Sequence, residues 1–179
     1  MENNYFKDCK TENETRTLYV QLAKILHPDI GGNTRDFQEL QNQYEAKLKS
    51  LHGSYNSADD AKEGKRKYQY DATIERDLMN MLFAVQGIRL PETMEISLQG
   101  TWIWVKGVRQ NARGNYPIEE RYISQLERLG FKYHTMKGEC YYRDPKNRCN
   151  NKGKVMRFDR INRKYKGAFY SNTGAEQIN

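Results

Sequence analysis

Two stretches of helical periodicity, separated by a proline and two glycines, constrain the fold of this chain more than any other feature. Thr11 opens the first stretch as a helix N-cap, and Pro28 ends it because a proline cannot continue a helix. Gly31 and Gly32 permit a tight loop before residues 33–34 cap the second stretch. The two apolar stripes consist of Leu18, Tyr19, Leu22, Ala23, Ile25 and Leu26, then Phe37, Leu40, Tyr44 and Leu48. Two amphipathic helices joined so closely must pack antiparallel to bury these stripes, which predicts a helical hairpin.

The second half of the chain carries a different pattern, in which short alternating runs of apolar residues surround one helical run. The expected order is a helix at 71–86, strands at 94–98 and 101–105, a helix from Pro117 to Gly130, and strands at 131–135 and 139–143. The chain is therefore predicted to be of the α+β class, with a small β-β-α-β-β domain after the hairpin. The predicted parts are a helical hairpin at 1–51, a polar linker at 52–70, a linker helix with the small α+β domain at 71–145, and a basic C-terminal extension at 146–179.

Charge is distributed unevenly along the chain. Residues 1–99 carry 13 Lys and Arg against 16 Asp and Glu, whereas residues 100–179 carry 17 against 7. The net charge is −3 for residues 1–99 and +10 for residues 100–179, which indicates that the second half binds a polyanion. The alternative is that the excess of Lys and Arg only serves solubility.

The densest basic run follows the last predicted strand and has the composition that neutralises phosphates. The predicted nucleic-acid-binding residues are Lys146, Arg148, Lys152, Lys154, Arg157, Arg160, Arg163, Lys164 and Lys166, with Tyr142 as a base-stacking side chain. A solvated tail and a tail that binds an acidic protein are the alternatives. Trp102 and Trp104 lie on one strand face, either as a stacking platform for bases or as core, and core is favoured for at least one of them.

Features of catalysis are scarce in the sequence. His27, His52 and His134 have no metal-ligand spacing to a cysteine, a carboxylate or a second histidine, and no phosphate-binding glycine loop or serine elbow occurs. A nucleophile pair of His134 and Cys140 is far less favoured than an exposed strand residue beside a small buried one. We therefore expect no enzyme, no metal and no cofactor. Three cysteines without C-x-x-C spacing, and no long apolar run or signal sequence, predict a cytoplasmic protein without membrane contact.

A tripeptide at the tip of the predicted hairpin carries a family resemblance together with the residues around it. These are Tyr5-Phe6, Leu18-Tyr19, Leu22-Ala23, His27-Pro28-Asp29, Gly31-Gly32, Phe37, Leu40 and Tyr44. Over about residues 3–50, they resemble a J-domain of the DnaJ co-chaperone class. The resemblance implies that His27, Pro28 and Asp29 contact a heat-shock ATPase chaperone and trigger its ATP hydrolysis. A J-domain binds one conformer of its partner better than another, and so shifts the partner towards a hydrolysis-competent state.

The same resemblance implies a docking face along the first helix. Family members carry basic residues there that dock an acidic surface of the chaperone, and the basic residues of this helix are Arg16 and Lys24. The dipeptide at 20–21 is Val-Gln, where Arg or Lys are common in the family. The alternative is a purely structural loop, in which Pro28 stops the helix and Asp29 bonds loop amides.

Segments 94–105, 129–133 and 140–143 carry a second resemblance. They are similar to a small domain that follows J-like hairpins in proteins of phages and mobile elements, which implies such an origin. The first functional hypothesis is a non-enzymatic J-domain-like adaptor that recruits or modulates a host ATPase chaperone in the bacterial cytoplasm. Its basic half would contact nucleic acid or a nucleoprotein. The second hypothesis is a phage-encoded binder that inhibits a host nucleic-acid machine or defence nuclease, of anti-CRISPR type, and uses the hairpin only as a scaffold.

Overall fold

The computed structural model describes residues 4–28, 31–55 and 67–144, with the backbone of residues 168–170. The helices are α1 (Glu12–Leu26), α2 (Thr34–Ser50), α3 (Ala72–Gln86) and α4 (Ile123–Arg128), with a 3-10 turn at Glu120–Tyr122. The strands are β1 (Met94–Gln99), β2 (Trp102–Gly107), β3 (Lys132–His134), β4 (Glu139–Arg143) and β5 (Ala168–Tyr170). The fold is of the α+β class, and the chain divides into two compact units between Ala72 and Thr73.

The caps of the first two helices follow from local sequence. The Thr11 hydroxyl accepts from the backbone N–H of Glu14 at 3.2 Å, and the Glu14 carboxylate accepts in return from the N–H of Thr11 at 3.3 Å. This reciprocal pair is a capping box, and it starts α1 where the sequence predicts. Asn33 caps α2 by accepting from the N–H of Arg35 at 2.8 Å.

Aromatic rings hold α1 against α2 in the first unit. The rings of Tyr19 on α1 and Tyr44 on α2 are stacked with centroids 4.1 Å apart. Phe6, which precedes α1, also reaches Tyr44, with centroids 6.0 Å apart. Leu40 and Leu48 of α2 are fully buried, as their positions in the predicted stripe require. The two helices of the hairpin therefore pack against each other through their apolar faces.

The flanks of the predicted polar linker are part of the first unit. The backbone N–H of Gly53 donates to the carbonyl of Tyr68 at 2.8 Å, and the N–H of Tyr68 donates to the carbonyl of Ser54 at 2.9 Å. These two bonds bring the ends of the segment together. Residues 56–66 lie outside the described part of the chain.

The second unit contains an antiparallel sheet in the order β3-β4-β2-β1-β5. Directly paired residues share a face and neighbours along a strand alternate, so the register defines two faces. The apolar face carries Met94, Ile96, Leu98, Ile103, Val105, Cys140 and Tyr142. The aromatic face carries Glu95, Ser97, Gln99, Trp102, Trp104, Lys106, Lys132, His134, Glu139, Tyr141 and Arg143.

Helix α4 begins later than the sequence predicts, at Ile123 after the 3-10 turn Glu120–Tyr122 rather than near Pro117. The segment before it is held beside the sheet, because the N–H of Ile118 donates to the carbonyl of Gly138 at 2.7 Å. A Cβ on Gly138 would lie 2.8 Å from the Cβ of Pro117, so the proline packs directly on this turn. Pro117 therefore anchors a loop to the β3–β4 turn instead of starting a helix.

Strand β5 is absent from the sequence prediction, which treated everything after residue 146 as an extension. Its backbone pairs with β1, with Ala168 opposite Leu98 and Tyr170 opposite Ile96. A three-residue edge strand has too few positions to show an alternating pattern, so only its pairing partner reveals it.

Candidate functional site

The hairpin loop presents the first two residues of the tripeptide differently. The N–H of His27 donates to the carbonyl of Ala23 at 3.0 Å, and its imidazole meets the ring of Phe37 edge-on with centroids 4.8 Å apart. Pro28 is exposed. His27 is therefore part of the packing between the helices, whereas Pro28 faces solvent. Asp29 lies outside the described residues.

Two glycines close this loop for different physical reasons. Gly31 has a φ of +93° and donates its N–H to the carbonyl of Pro28 at 3.1 Å. Gly32 donates to the carbonyl of His27 at 3.0 Å, and a Cβ built on it would lie 2.1 Å from the carbonyl oxygen of Leu26. The first glycine supplies a left-handed backbone and the second a close approach.

The structure places the two predicted docking cations of α1 in different surroundings. Arg16 is only 1% exposed, and its guanidinium lies 5.6 Å from the ring centroid of Tyr68. Lys24 is exposed. Val20 is fully buried, so this position faces the interior and not the docking face that the J-domain resemblance implies. Within the described residues, the basic surface of α1 is reduced to Lys24.

The predicted nucleic-acid residues are only partly placed. The nine cations Lys146, Arg148, Lys152, Lys154, Arg157, Arg160, Arg163, Lys164 and Lys166 lie outside the described residues. Tyr142 lies on the apolar face, with its ring 5.8 Å from that of Phe131. Burial raises the pKa of the Tyr142 phenol, and the Asp144 and Asp77 carboxylates add to the effect. Carboxylates around a phenol disfavour a phosphate there, so packing describes Tyr142 better than nucleic-acid stacking.

The aromatic face is built around two parallel indoles. The rings of Trp102 and Trp104 are stacked 6.0 Å apart with 10° between their planes, and the ring of Tyr141 lies within 5.6 Å of both. The guanidinium of Arg143 lies 5.3 Å from the Trp102 centroid, and the Lys137 ammonium lies 5.0 Å from that of Trp104. Each indole thus contacts two rings and one cation. Trp104 is 5% exposed, which confirms that at least one of the pair is core.

Further charges are buried beside these rings. Lys106 is ion-paired with Glu95, and its ammonium lies 4.2 Å from the ring centroid of Tyr116. Glu139 is fully buried and accepts from the N–H of Tyr116 at 3.4 Å. Burial lowers the pKa of Lys137, and the Glu139 carboxylate offsets part of that shift. At this inner end of the face each lysine thus has a carboxylate close to it, Glu95 beside Lys106 and Glu139 beside Lys137.

His134 and Cys140 do not form a nucleophile pair. In the strand register His134 lies opposite Glu139 on the aromatic face, whereas Cys140 lies opposite Val105 on the apolar face. Burial raises the pKa of the Cys140 thiol to about 12, and the carboxylate of Glu127 on α4 adds to the shift. The thiolate, which is the reactive form, is therefore strongly disfavoured.

The Cys140 thiol predicts a pH dependence of stability. In the folded protein the thiol has a pKa of about 12, whereas the unfolded thiol loses its proton around its ordinary pKa of 9.0. The unfolded state thus binds fewer protons between these values, and the free energy of unfolding falls by up to about 1.4 kcal/mol per pH unit. Urea unfolding of the wild type and a Cys140→Ala variant from pH 8 to 11 measures this slope. Parallel profiles for the two proteins would contradict the prediction.

Comparisons with protein-family models, curated proteins and solved structures find no match to this chain. In the part of the chain that the structure describes, no three His, Cys, Asp or Glu side chains come together as metal ligands would. None of the helices among those same residues is long and apolar enough to cross a membrane.

Sequence reasoning missed the cations that complete the aromatic face. Arg143 and Lys137 are separated from the tryptophans by more than 30 positions. The register of β2 with β4 places Arg143 opposite Trp102, and the turn before β4 carries Lys137 to Trp104. The one signal in the sequence is the alternation of Trp102 and Trp104 on a strand, which predicts a shared face without naming its partners.

Proposed function

We propose that this protein is a non-enzymatic J-domain-like adaptor. Its hairpin loop engages a host ATPase chaperone of the heat-shock class, and its basic C-terminal half contacts nucleic acid or a nucleoprotein. The proposal includes a phage or mobile-element origin and action in the bacterial cytoplasm. It rests on the residues that resemble a J-domain and on the geometry of the loop that joins α1 and α2.

The observation that carries the proposal is the loop held between two capped helices. The imidazole of His27 is fixed against Phe37, and Pro28 faces solvent immediately after the C-cap of α1. A side chain that packing already holds in place, as Phe37 holds His27, is suited to recognise one conformer of a partner, because it loses little conformational entropy on binding. By binding that conformer better than others, the tip shifts the partner towards hydrolysis without doing chemistry itself.

Support for the nucleic-acid part comes from charge. Residues 145–167 contain nine Lys and Arg against the single acidic residue Asp159. Neutralising phosphates with such a run releases condensed counterions, which favours binding at low salt.

Substitution of Asp29 by asparagine is expected to remove stimulation of the chaperone. The change keeps the size of the side chain and removes its charge, and a coupling of ordinary strength predicts a loss of about tenfold or more. The measurement is ATP turnover by a purified bacterial heat-shock ATPase with and without the full-length protein. Asp8→Asn, an exposed carboxylate of the same unit, is the matched control. No stimulation by the wild type, or equal stimulation by both variants, would exclude the co-chaperone role.

A second candidate function is favoured by the burial of Arg16 and Val20. With these side chains in the interior, α1 presents little of the positive surface through which J-domains dock, so the hairpin would act as a scaffold. The protein would then be a phage-encoded binder that blocks a host nucleic-acid machine or defence nuclease. Affinity capture from bacterial lysate separates the two candidates: a nucleoprotein favours the inhibitor, and the chaperone alone favours the adaptor.

A further inference from the structure

We propose that the outer end of the aromatic face binds the phosphate backbone of nucleic acid through Arg143 and Lys132, without stacking of bases on the tryptophans. The inference rests on the nucleic-acid part of the proposed function and assigns to it a site and a mode of contact. It concerns the described residues of β2, β3 and β4.

Arg143 is positioned as a phosphate ligand. Its side chain is half-buried, and its guanidinium lies 5.3 Å from the ring centroid of Trp102. Stacking on an indole fixes the plane of a guanidinium while its N–H edge stays free for a bidentate acceptor. No carboxylate of the described residues pairs with Arg143, which leaves its charge for an outside anion.

Lys132 adds a second cation on the same face. It is exposed on β3 and stands opposite Tyr141, the residue two positions before Arg143 on β4. Diagonal neighbours of this kind on adjacent strands are about 7–8 Å apart. The nearest carboxylates of the face are engaged within it, because Glu95 pairs with Lys106 and Glu139 bonds the backbone of Tyr116. Among the described residues, the outer end of the aromatic face therefore presents two cations without a carboxylate paired to them, and the neighbouring Asp144 is buried at 2% exposure.

Both tryptophans already stack within the protein. Trp102 contacts Trp104, Tyr141 and Arg143, and Trp104 contacts Trp102, Tyr141 and Lys137. Trp104 is buried, and a base that stacks on the half-exposed Trp102 must compete with the partners of that ring. Contact is thus expected with phosphates, which carry no sequence information.

Charge complementarity favours nucleic acid over an acidic protein as the occupant. The first cation of the run of nine at 145–167 is Lys146, three positions after Arg143, so the two sources of positive charge are close along the chain, with only Asp144 and Pro145 between them. Nucleic acid carries one negative charge at every nucleotide, which matches the high density of positive charge in this part of the chain. In acidic segments of proteins, neutral side chains separate the negative charges.

The test is fluorescence anisotropy of the full-length protein with labelled single-stranded DNA and RNA of two unrelated sequences, over a range of salt. Arg143→Gln with Lys132→Gln is expected to weaken binding about tenfold or more, equally for both sequences, and to reduce the salt slope by about 1 for each cation removed. Arg143→Lys is expected to keep the slope, because it keeps the charge. Arg128→Gln, an exposed arginine at the end of α4, is the matched control.

The outcomes separate this inference from the proposed function. If the wild type binds and the double variant binds as tightly as the Arg128 control, the site is wrong while the nucleic-acid function stands. Base stacking replaces phosphate contact if the sequences differ strongly in affinity and Trp102→Leu removes the difference. If polyglutamate competes as well as an oligonucleotide of equal charge, the occupant is an acidic protein. No binding by the wild type at low salt overturns both. Melting curves of each variant exclude loss of fold as the cause.

Discussion

Replacing Gly32 by alanine is expected to destabilise the helical hairpin by roughly 3–5 kcal/mol, the range of the most damaging single substitutions. The new Cβ would lie 2.1 Å from the carbonyl oxygen of Leu26 and 2.8 Å from its Cα. Both are backbone atoms at the end of α1, so no side-chain rotation relieves the clash. The loop must move, and the hydrogen bond from Gly32 to the carbonyl of His27 is lost with it.

Gly31→Ala is the matched control for this prediction. A Cβ on Gly31 meets nothing within 4 Å, so the cost is limited to the left-handed backbone at φ +93°. That conformation costs a non-glycine residue about 1–2 kcal/mol. The free energies of unfolding come from urea titrations of the full chain followed by far-UV circular dichroism, with amide exchange of Leu40 and Leu48 as a local probe. Equal losses of unfolding free energy for the two variants would show that the short distance between Gly32 and the Leu26 backbone does not determine the stability of this loop.

Replacing Trp104 by alanine is expected to have the second large effect, about 3–5 kcal/mol on the second unit. Trp104 is 5% exposed and lies within the stack of Trp102, Tyr141 and Lys137. Removal of the indole leaves a cavity, and the buried Lys137 ammonium loses its cation–π contact with that ring. Trp104→Phe keeps a ring in place and is expected to recover much of the loss.

Trp102→Ala provides the comparison, because its indole is half-exposed and its truncation leaves a smaller cavity. We expect a loss well below that of Trp104→Ala. Both tryptophans of the chain belong to this sheet, so their fluorescence follows unfolding of the second unit specifically. The remaining indole serves as the probe in each single variant. If Trp102→Ala lowered the free energy of unfolding more than Trp104→Ala, the exposed end of the stack would contribute more to stability than the buried end, against the prediction.

Local signals in the sequence predict much of this fold. The capping box of Thr11 with Glu14, the proline after His27 and the apolar stripes place α1 and α2 to within a residue or two, since each depends on neighbours along the chain. Alternation predicts β1, the β-branched and aromatic composition of residues 101–105 predicts β2, and β3 and β4 also lie where the sequence predicts strands.

Features that depend on distant partners escape such reasoning. The J-domain resemblance places Arg16 on an exposed docking face, yet Arg16 is buried against Tyr68 more than 50 positions away. Pro117 is predicted to start a helix from local preference, but Gly138 on another turn holds it in a loop. The candidate phosphate site likewise depends on the register of β4 with β2 and β3, which no local pattern specifies.

Strand β5 limits how far the basic segment extends from the sheet. Arg143 at the end of β4 lies opposite Trp102, and Ala168 at the start of β5 lies opposite Leu98, so both anchors stand at the end of the sheet that carries the β1–β2 turn. The 23 residues between Asp144 and Ala168 are thus tied at both ends. A tail of that length reaches about 80 Å when extended, whereas a tether returning to its origin reaches about 40 Å. The backbone span that chain length permits around the β1–β2 turn is therefore about half of what a free tail of the same 23 residues would have.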